Sequence, residues 1–251
     1  MERLLTARRE PSFMLGWKII MGKWGDEMKI HNRLNQIREE NKSTTKQKVF
    51  SIVNAIMIGV ILGLAAKLVD TPGINPVFDN IGGRLGIWVF VGTLLSVFSY
   101  SPKIAAVKVF VFFGSMLTVY YAYTVLFLHF FPERAIVFWG ICAVISPVCA
   151  YIMWYARGNG LFSHMVSALP ITALLSEGFE LRHAYLPIHT HYYLIPWLMG
   201  VYLMMILVLL LIIPKNKMQF VVVLPIALIL SFIMIYFNVL GRIFGGMNGV
   251  F

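Results

Sequence analysis

The chain has 251 residues, of which 59% are hydrophobic and only 13% charged, with a formal net charge of +10. Soluble domains carry roughly a quarter charged residues, so this composition excludes one or two soluble domains and predicts an all-α, polytopic transmembrane helix bundle. The basic balance does not indicate nucleic acid, because cytoplasmic membrane loops give the same excess and no soluble basic domain offers a groove.

The first 48 residues form a basic leader, with eleven of the 21 Lys and Arg and six of the 11 Asp and Glu. Within it Phe13, Trp17, Met21, Trp24 and Met28 recur at three- and four-residue steps, opposite Lys18, Lys23, Asp26 and Glu27. That spacing predicts an amphipathic helix lying on the inner membrane surface, or docking a cytoplasmic or membrane partner through residues 13–28. The plainer alternative is a leader that only sets orientation, or an extension upstream of a later start at Met14, Met21 or Met28. No small-residue cleavage site follows a short apolar run, so the first span is expected to stay as an uncleaved anchor.

Residues 49–251 read as the transmembrane domain. A helical span needs about 20 largely apolar residues, and seven stretches are predicted to meet that need: 49–68, 84–100, 104–131, 135–156, 160–178, 193–213 and 218–240. Between them lie the turn-rich "DTPGINPVFDNIGG" (70–83), then "SYSPK", "FPER", "ARGNG" and "PKNK". Such short connections make successive helices antiparallel neighbours. With the leader inside, the inner loops hold Lys103, Lys108, Arg157, Lys215 and Lys217 without an acid, and every acid after the leader falls outside. The expectation is a multi-pass cell-membrane protein with its N-terminus cytoplasmic and its C-terminus outside.

An internal repeat is also expected. Trp88, Trp139 and Trp197 stand near the outer ends of three entering helices, and the last two returning helices share the centres "SALPITALL" (167–175) and "VVLPIALIL" (222–230). This reads as one helix followed by three helical hairpins. Each central Pro removes a backbone hydrogen bond and kinks its helix, a device common in transporters built from repeats.

Candidate chemistry concentrates in "SEGFELRHAYLPIHTHYY", residues 176–193. Glu177 ends a proline-kinked helix, where a carboxylate can face the bundle interior or stand in water. Arg84, Arg134 and Arg182 are expected at the same level as its partners, and Glu180, Trp88 and Trp139 complete the candidate ligand-binding set. His183, His189 and His191 form a weak metal-site candidate, since they have no recognised ligand spacing. The few deep polar residues, Asn54, Thr93, Ser115, Thr118, Ser146, Ser167, Thr172 and the Tyr120, Tyr121 and Tyr123 cluster, read as helix-to-helix contacts, and Gly59 with Gly63 as a small-residue packing pair. Cys142 and Cys149 stand about 10 Å apart along one helix, which rules out a disulfide between them. "GGRLG" and "GGMNG" read as helix ends. No phosphate loop, dinucleotide turn, nucleophile elbow or zinc-protease helix is found, so no cofactor is expected and an enzyme is disfavoured.

The segments "GGRLGIWVFVG", "GICAVISPVCAYIMWYARGNG" and "SALPITALLSEG" in residues 82–180 resemble uncharacterised bacterial multi-pass membrane proteins, known only as domains of unknown function. The resemblance implies a bacterial plasma membrane and carries no activity across. Three functional readings stand. The first is a permease for a small uncharged or amphipathic solute, or the substrate-binding membrane subunit of a transporter. The second is a non-transporting assembly or regulatory protein. The third is a membrane-embedded enzyme using the outer His/Glu loop.

Overall fold

The computed structural model describes residues 34–69, 84–129, 131–184 and 194–244. Among these the chain is all-α. The elements are α1 (Thr45–Val69), α2 (Leu85–Val97), α3 (Pro102–Leu128), α4 (Glu133–Met153), a 3-10 turn (Trp154–Arg157), α5 (Gly160–Ala184), α6 (Ile195–Ile212), α7 (Lys217–Tyr236) and the short α8 (Val239–Phe244). Local chemistry sets several ends. Ser101 caps α3 by accepting the Ile104 N–H at 3.3 Å, and Pro102 fills the first turn, where its missing N–H costs nothing. His129 closes α3 in the left-handed conformation, φ 51°. The expected leader helix (residues 13–28), the 70–83 loop and His189 with His191 lie outside the described residues.

Among the described residues five helices, not seven, are long and apolar enough to cross a membrane: Thr45–Leu68, Pro102–Leu128, Glu133–Arg157, Ile195–Ile212 and Lys217–Tyr236. The remaining two of the seven expected spans fall short for different reasons. With 13 residues, α2 extends only about 20 Å, against a hydrocarbon core of about 30 Å. With 25 residues, α5 is long enough but too polar, carrying three Ser, one Thr, two His, Glu177, Glu180 and Arg182.

All seven helices nevertheless alternate in direction. Ser115 of α3 donates to the Ile56 carbonyl of α1 at 3.2 Å; Gly59 rests on Phe112 and Gly63 on Met116, while Lys67 stands 4.8 Å over the Tyr120 ring. Both sequences advance together, so α1 and α3 are parallel and α2 carries the chain back between them. At the other side of the bundle, Gln219 meets Ser167 and Thr172 donates to the Ala227 carbonyl at 3.4 Å. These contacts make α5 and α7 parallel, with α6 returning between them.

Most of the core lies around α5. Ile171, Leu174 and Leu181 are fully buried and pack with Leu198, Tyr202 and Leu209 of α6, Val223 and Ala227 of α7, and Val97 of α2. A smaller cluster of Ala55, Phe112 and Met116 joins α1 to α3. There α1 forms the rim, with apolar side chains such as Phe50 and Ile61 turned outward.

The end where α1 begins is tied by a buried polar node. The Ala156 carbonyl accepts from Ser163 and Ser167, both at 2.8 Å, and from Gln219 Nε2 at 3.0 Å. The other amide atom of Gln219 accepts the Lys215 N–H at 3.0 Å. One side chain thereby joins the 3-10 turn, α5 and α7. Ser163, Ser167 and Gln219 are all buried, and each uses its hydrogen-bonding capacity there, as buried polar groups must.

Candidate functional site

At the opposite end of the bundle, Glu177 stands on α5 with Leu174 and Leu181, both fully buried, one turn to either side. Residues three and four apart share a helix face, so the carboxylate starts from the interior face of α5, and Glu177 is half-buried. It meets the start of α2. Its Oε1 accepts the Leu85 N–H at 3.1 Å, and the Gly86 N–H and the charge of Arg84 also act on it. The first N–H groups of a helix have no partner within the helix and carry its positive dipole end. A carboxylate on α5 supplies the cap that Arg84, at the N-cap position, does not.

The Tyr202 phenol of α6 closes the site. A Cβ placed on Gly86 would lie 2.7 Å from Glu177 Oε2 and 2.8 Å from Tyr202 Oη. Three helices converge on the volume that a single methyl group would fill, so a side chain at position 86 must push the Glu177 and Tyr202 side chains aside. Four groups from α2, α5 and α6 thus form one buried polar site.

The sequence-predicted residues divide clearly. Glu177 and Arg84 are brought together. Trp88, one turn further along α2, packs edge-on to Phe113 with ring centroids 6.5 Å apart. Arg134 is exposed on the first turn of α4, and Trp139 pairs with its neighbour Phe138 at 5.4 Å; neither joins Glu177. Glu180 is half-buried one turn beyond it. Arg182 and His183 lie in the last turn of α5, their side chains outside the described residues, as His189 and His191 are entirely. Among the described residues no three His, Cys, Asp or Glu gather as metal ligands would.

Two members of the site were not predicted. Tyr202 had no sequence signal beyond a phenol in an apolar run. Gly86 belongs to "GGRLG", expected only as a helix end. It does sit in the first turn of a helix, but its lack of a side chain serves the contact. The central prolines both stand inside continuous helices. Pro170 and Pro225 each stand two residues before a partner in the Thr172–Ala227 contact, so the shared "LPI" centres lie side by side at one depth of the parallel α5–α7 pair.

Comparison with known proteins finds no matching protein family, no matching curated protein and no matching solved structure. The resemblance drawn from residues 82–180 therefore has no family behind it. The five apolar helices carry the assignment that remains: a multi-pass integral membrane protein in contact with a lipid bilayer.

Proposed function

We propose that the chain is a permease, or the substrate-binding membrane subunit of a transporter, for a small uncharged or amphipathic solute in a bacterial plasma membrane. The observation that carries this reading is the half-buried Glu177 carboxylate held against the N-terminus of the short helix α2. Acids inside membrane domains are costly and default to function, and transporters place the ends of short or broken helices at their binding sites. Kinking prolines aligned on α5 and α7 give those helices a place to bend beside the site. Solute binding near Tyr202, or protonation of Glu177, would loosen the cap and free α2 to move.

Orientation follows from charge. The segments at the end where α1 begins (34–48, 98–103, 154–160 and 213–217) hold eight Lys and Arg against two Glu, which supports a cytoplasmic placement of that end. The Glu177 site then opens toward the outside.

The test is a thermal-unfolding scan of the purified full chain against sugars, polyols, amino acids, nucleosides and amphipathic amines. One class is expected to raise the unfolding temperature, and Glu177→Gln, which keeps an acceptor for Leu85, is expected to abolish that rise. The proposal is overturned if no class stabilises the protein, or if the rise survives unchanged in Glu177→Gln.

A further inference from the structure

The cytoplasmic-side end of the bundle carries a cationic cluster that the Glu177 site does not use. Arg38 fixes its frame. Its two terminal nitrogens donate to the carbonyls of Trp154 and of Val97, the latter at 2.9 Å, and its guanidinium carbon stands 4.1 Å from the centroid of the Trp154 ring. Trp154 in turn donates from Nε1 to the Ser99 carbonyl at 2.8 Å. The main chain is pinned on both sides, by Asn41 N–H to Tyr100 at 2.9 Å and Asn159 N–H to Ile37 at 2.8 Å.

On this rigid frame sit two more cations. Arg157 reaches from the 3-10 turn over the Phe98 ring at 5.4 Å, and its Nε is buried without a hydrogen-bond partner. Lys215 is exposed on the turn between α6 and α7. These groups feel one another: burial, then the charge of Arg157, pulls Arg38 down to about 10. Burial, then Arg38 and Arg157, lowers Lys215. Glu39 and Glu40 are exposed, and neither is among the groups acting on Arg38 or Lys215.

Among the described residues no carboxylate acts on Arg38 or Lys215 and no acceptor meets Arg157 Nε; like charges gathered so are unfavourable, and a buried N–H of this kind calls for an acceptor. One acceptor answers both conditions. A phosphate group offers several charged oxygens, to which guanidinium and ammonium groups both bind well. Around the cluster, Phe98, Leu161, Phe162 and Met218 are exposed, which suits acyl chains better than water. Basic pockets between membrane helices on the cytoplasmic side hold anionic headgroups in this way.

We propose that Arg157 and Lys215, seated on the Arg38–Trp154 frame, bind a phosphate group, supplied by the headgroup of an anionic phospholipid. This site is independent of the permease reading and would stand if that reading failed.

Native mass spectrometry of the full chain in neutral detergent, with phosphatidylglycerol and phosphatidylcholine in equal amounts, tests it. The anionic lipid is expected to be retained preferentially. Arg157→Gln and Lys215→Gln should each reduce that preference roughly fivefold, the equivalent of about 1 kcal/mol per basic residue at an anionic surface. Arg242→Gln removes an equal charge from exposed α8 at the opposite end and should leave the preference intact. Lys215 is exposed, so its variant keeps the test valid should Arg157→Gln unfold. A parallel titration with inorganic phosphate, read by tryptophan fluorescence, separates the sources: saturable binding lost in both variants, without lipid preference, supports the phosphate site with a soluble ligand. Equal retention of both lipids with no response to phosphate overturns the proposal, as does a lipid preference that survives both variants.

Discussion

Replacing Gln219 by Leu removes the amide that joins the 3-10 turn, α5 and α7 while changing side-chain volume little. The Nε2 group has two hydrogens for three acceptors, the Ala156 carbonyl at 3.0 Å and the Ser167 and Ser163 hydroxyls at 3.1 and 3.4 Å. With the Lys215 N–H donated to Oε1, the side chain makes three effective hydrogen bonds. The two Nε2 bonds cross between elements, and interhelical bonds between membrane helices contribute ~0.6 kcal/mol each, so their loss costs ~1 kcal/mol. The Ala156 carbonyl keeps both serine hydroxyls. Only the Lys215 N–H is stranded, at an exposed turn, which adds at most ~1 kcal/mol. Ser167→Ala removes one donor from a carbonyl that retains two, and should cost under ~1 kcal/mol. Equilibrium unfolding in mixed dodecyl sulfate micelles, followed by tryptophan fluorescence, measures both. The reasoning is refuted if Gln219→Leu falls within ~0.5 kcal/mol of wild type, or if Ser167→Ala costs as much as Gln219→Leu.

Other perturbations test the remaining contacts. Gly63→Leu would place a Cβ 2.6 Å from the Met116 carbonyl oxygen, so α1 must move off α3 at a cost of ~1–3 kcal/mol; Gly114→Ala, with open space around it, should be neutral or slightly stabilising in the same unfolding experiment. Gly86→Ala should cost at least ~1 kcal/mol by driving Glu177 and Tyr202 apart, and hydrogen exchange should then rise at the start of α2. Glu177→Ala should destabilise by ~0.5–2 kcal/mol, the range for a lost helix cap, with Glu177→Gln closer to wild type. Trp154→Phe should cost ~1 kcal/mol through the lost Ser99 bond, and Trp154→Ala ~3–5 kcal/mol through the cavity it leaves.

Helix positions were legible in the sequence because apolar runs and turn residues mark them directly. The stretches 104–131 and 218–240 correspond to α3 and α7 at Pro102–Leu128 and Lys217–Tyr236. Interhelical roles were legible for only some of the deep hydroxyls: Ser115, Ser167 and Thr172 reach other elements, whereas Thr118 and Ser146 donate to carbonyls of their own helices, because a helical hydroxyl can also be satisfied locally. The node partners were not legible. Gln219 lies next to "PKNK" at the start of the predicted span 218–240 and drew no reading of its own, and Arg38 lies in what reads as a detached leader. Nothing local reveals that their acceptors are carbonyls 63 and 116 residues away. The Glu177 site was half legible for the same reason. Its acid and Arg84 stand out by charge, whereas Gly86 and Tyr202 gain meaning only where three helices converge.

The disagreement over spans, seven read and five qualifying, has a physical cause. Hydropathy reports how well a helix suits lipid, and α5 does not face lipid along most of its length: α6, α7, α2 and the 3-10 turn surround it. Between membrane helices the hydrophobic effect supplies no attraction, so close packing of small residues and interhelical hydrogen bonds must hold them. Two of the three serines that lower the hydropathy of α5, Ser163 and Ser167, make such bonds. Its carboxylate obeys the same rule. Glu177 could not be left bare at that depth, and it is met by the uncapped N–H groups of α2, a helix too short to cross a bilayer alone. The polarity of the one and the shortness of the other each supply what the other lacks. Lengthening α2 by one turn toward its N-terminus would therefore remove the cap from Glu177, and should destabilise the bundle even though it makes α2 a better membrane helix by composition.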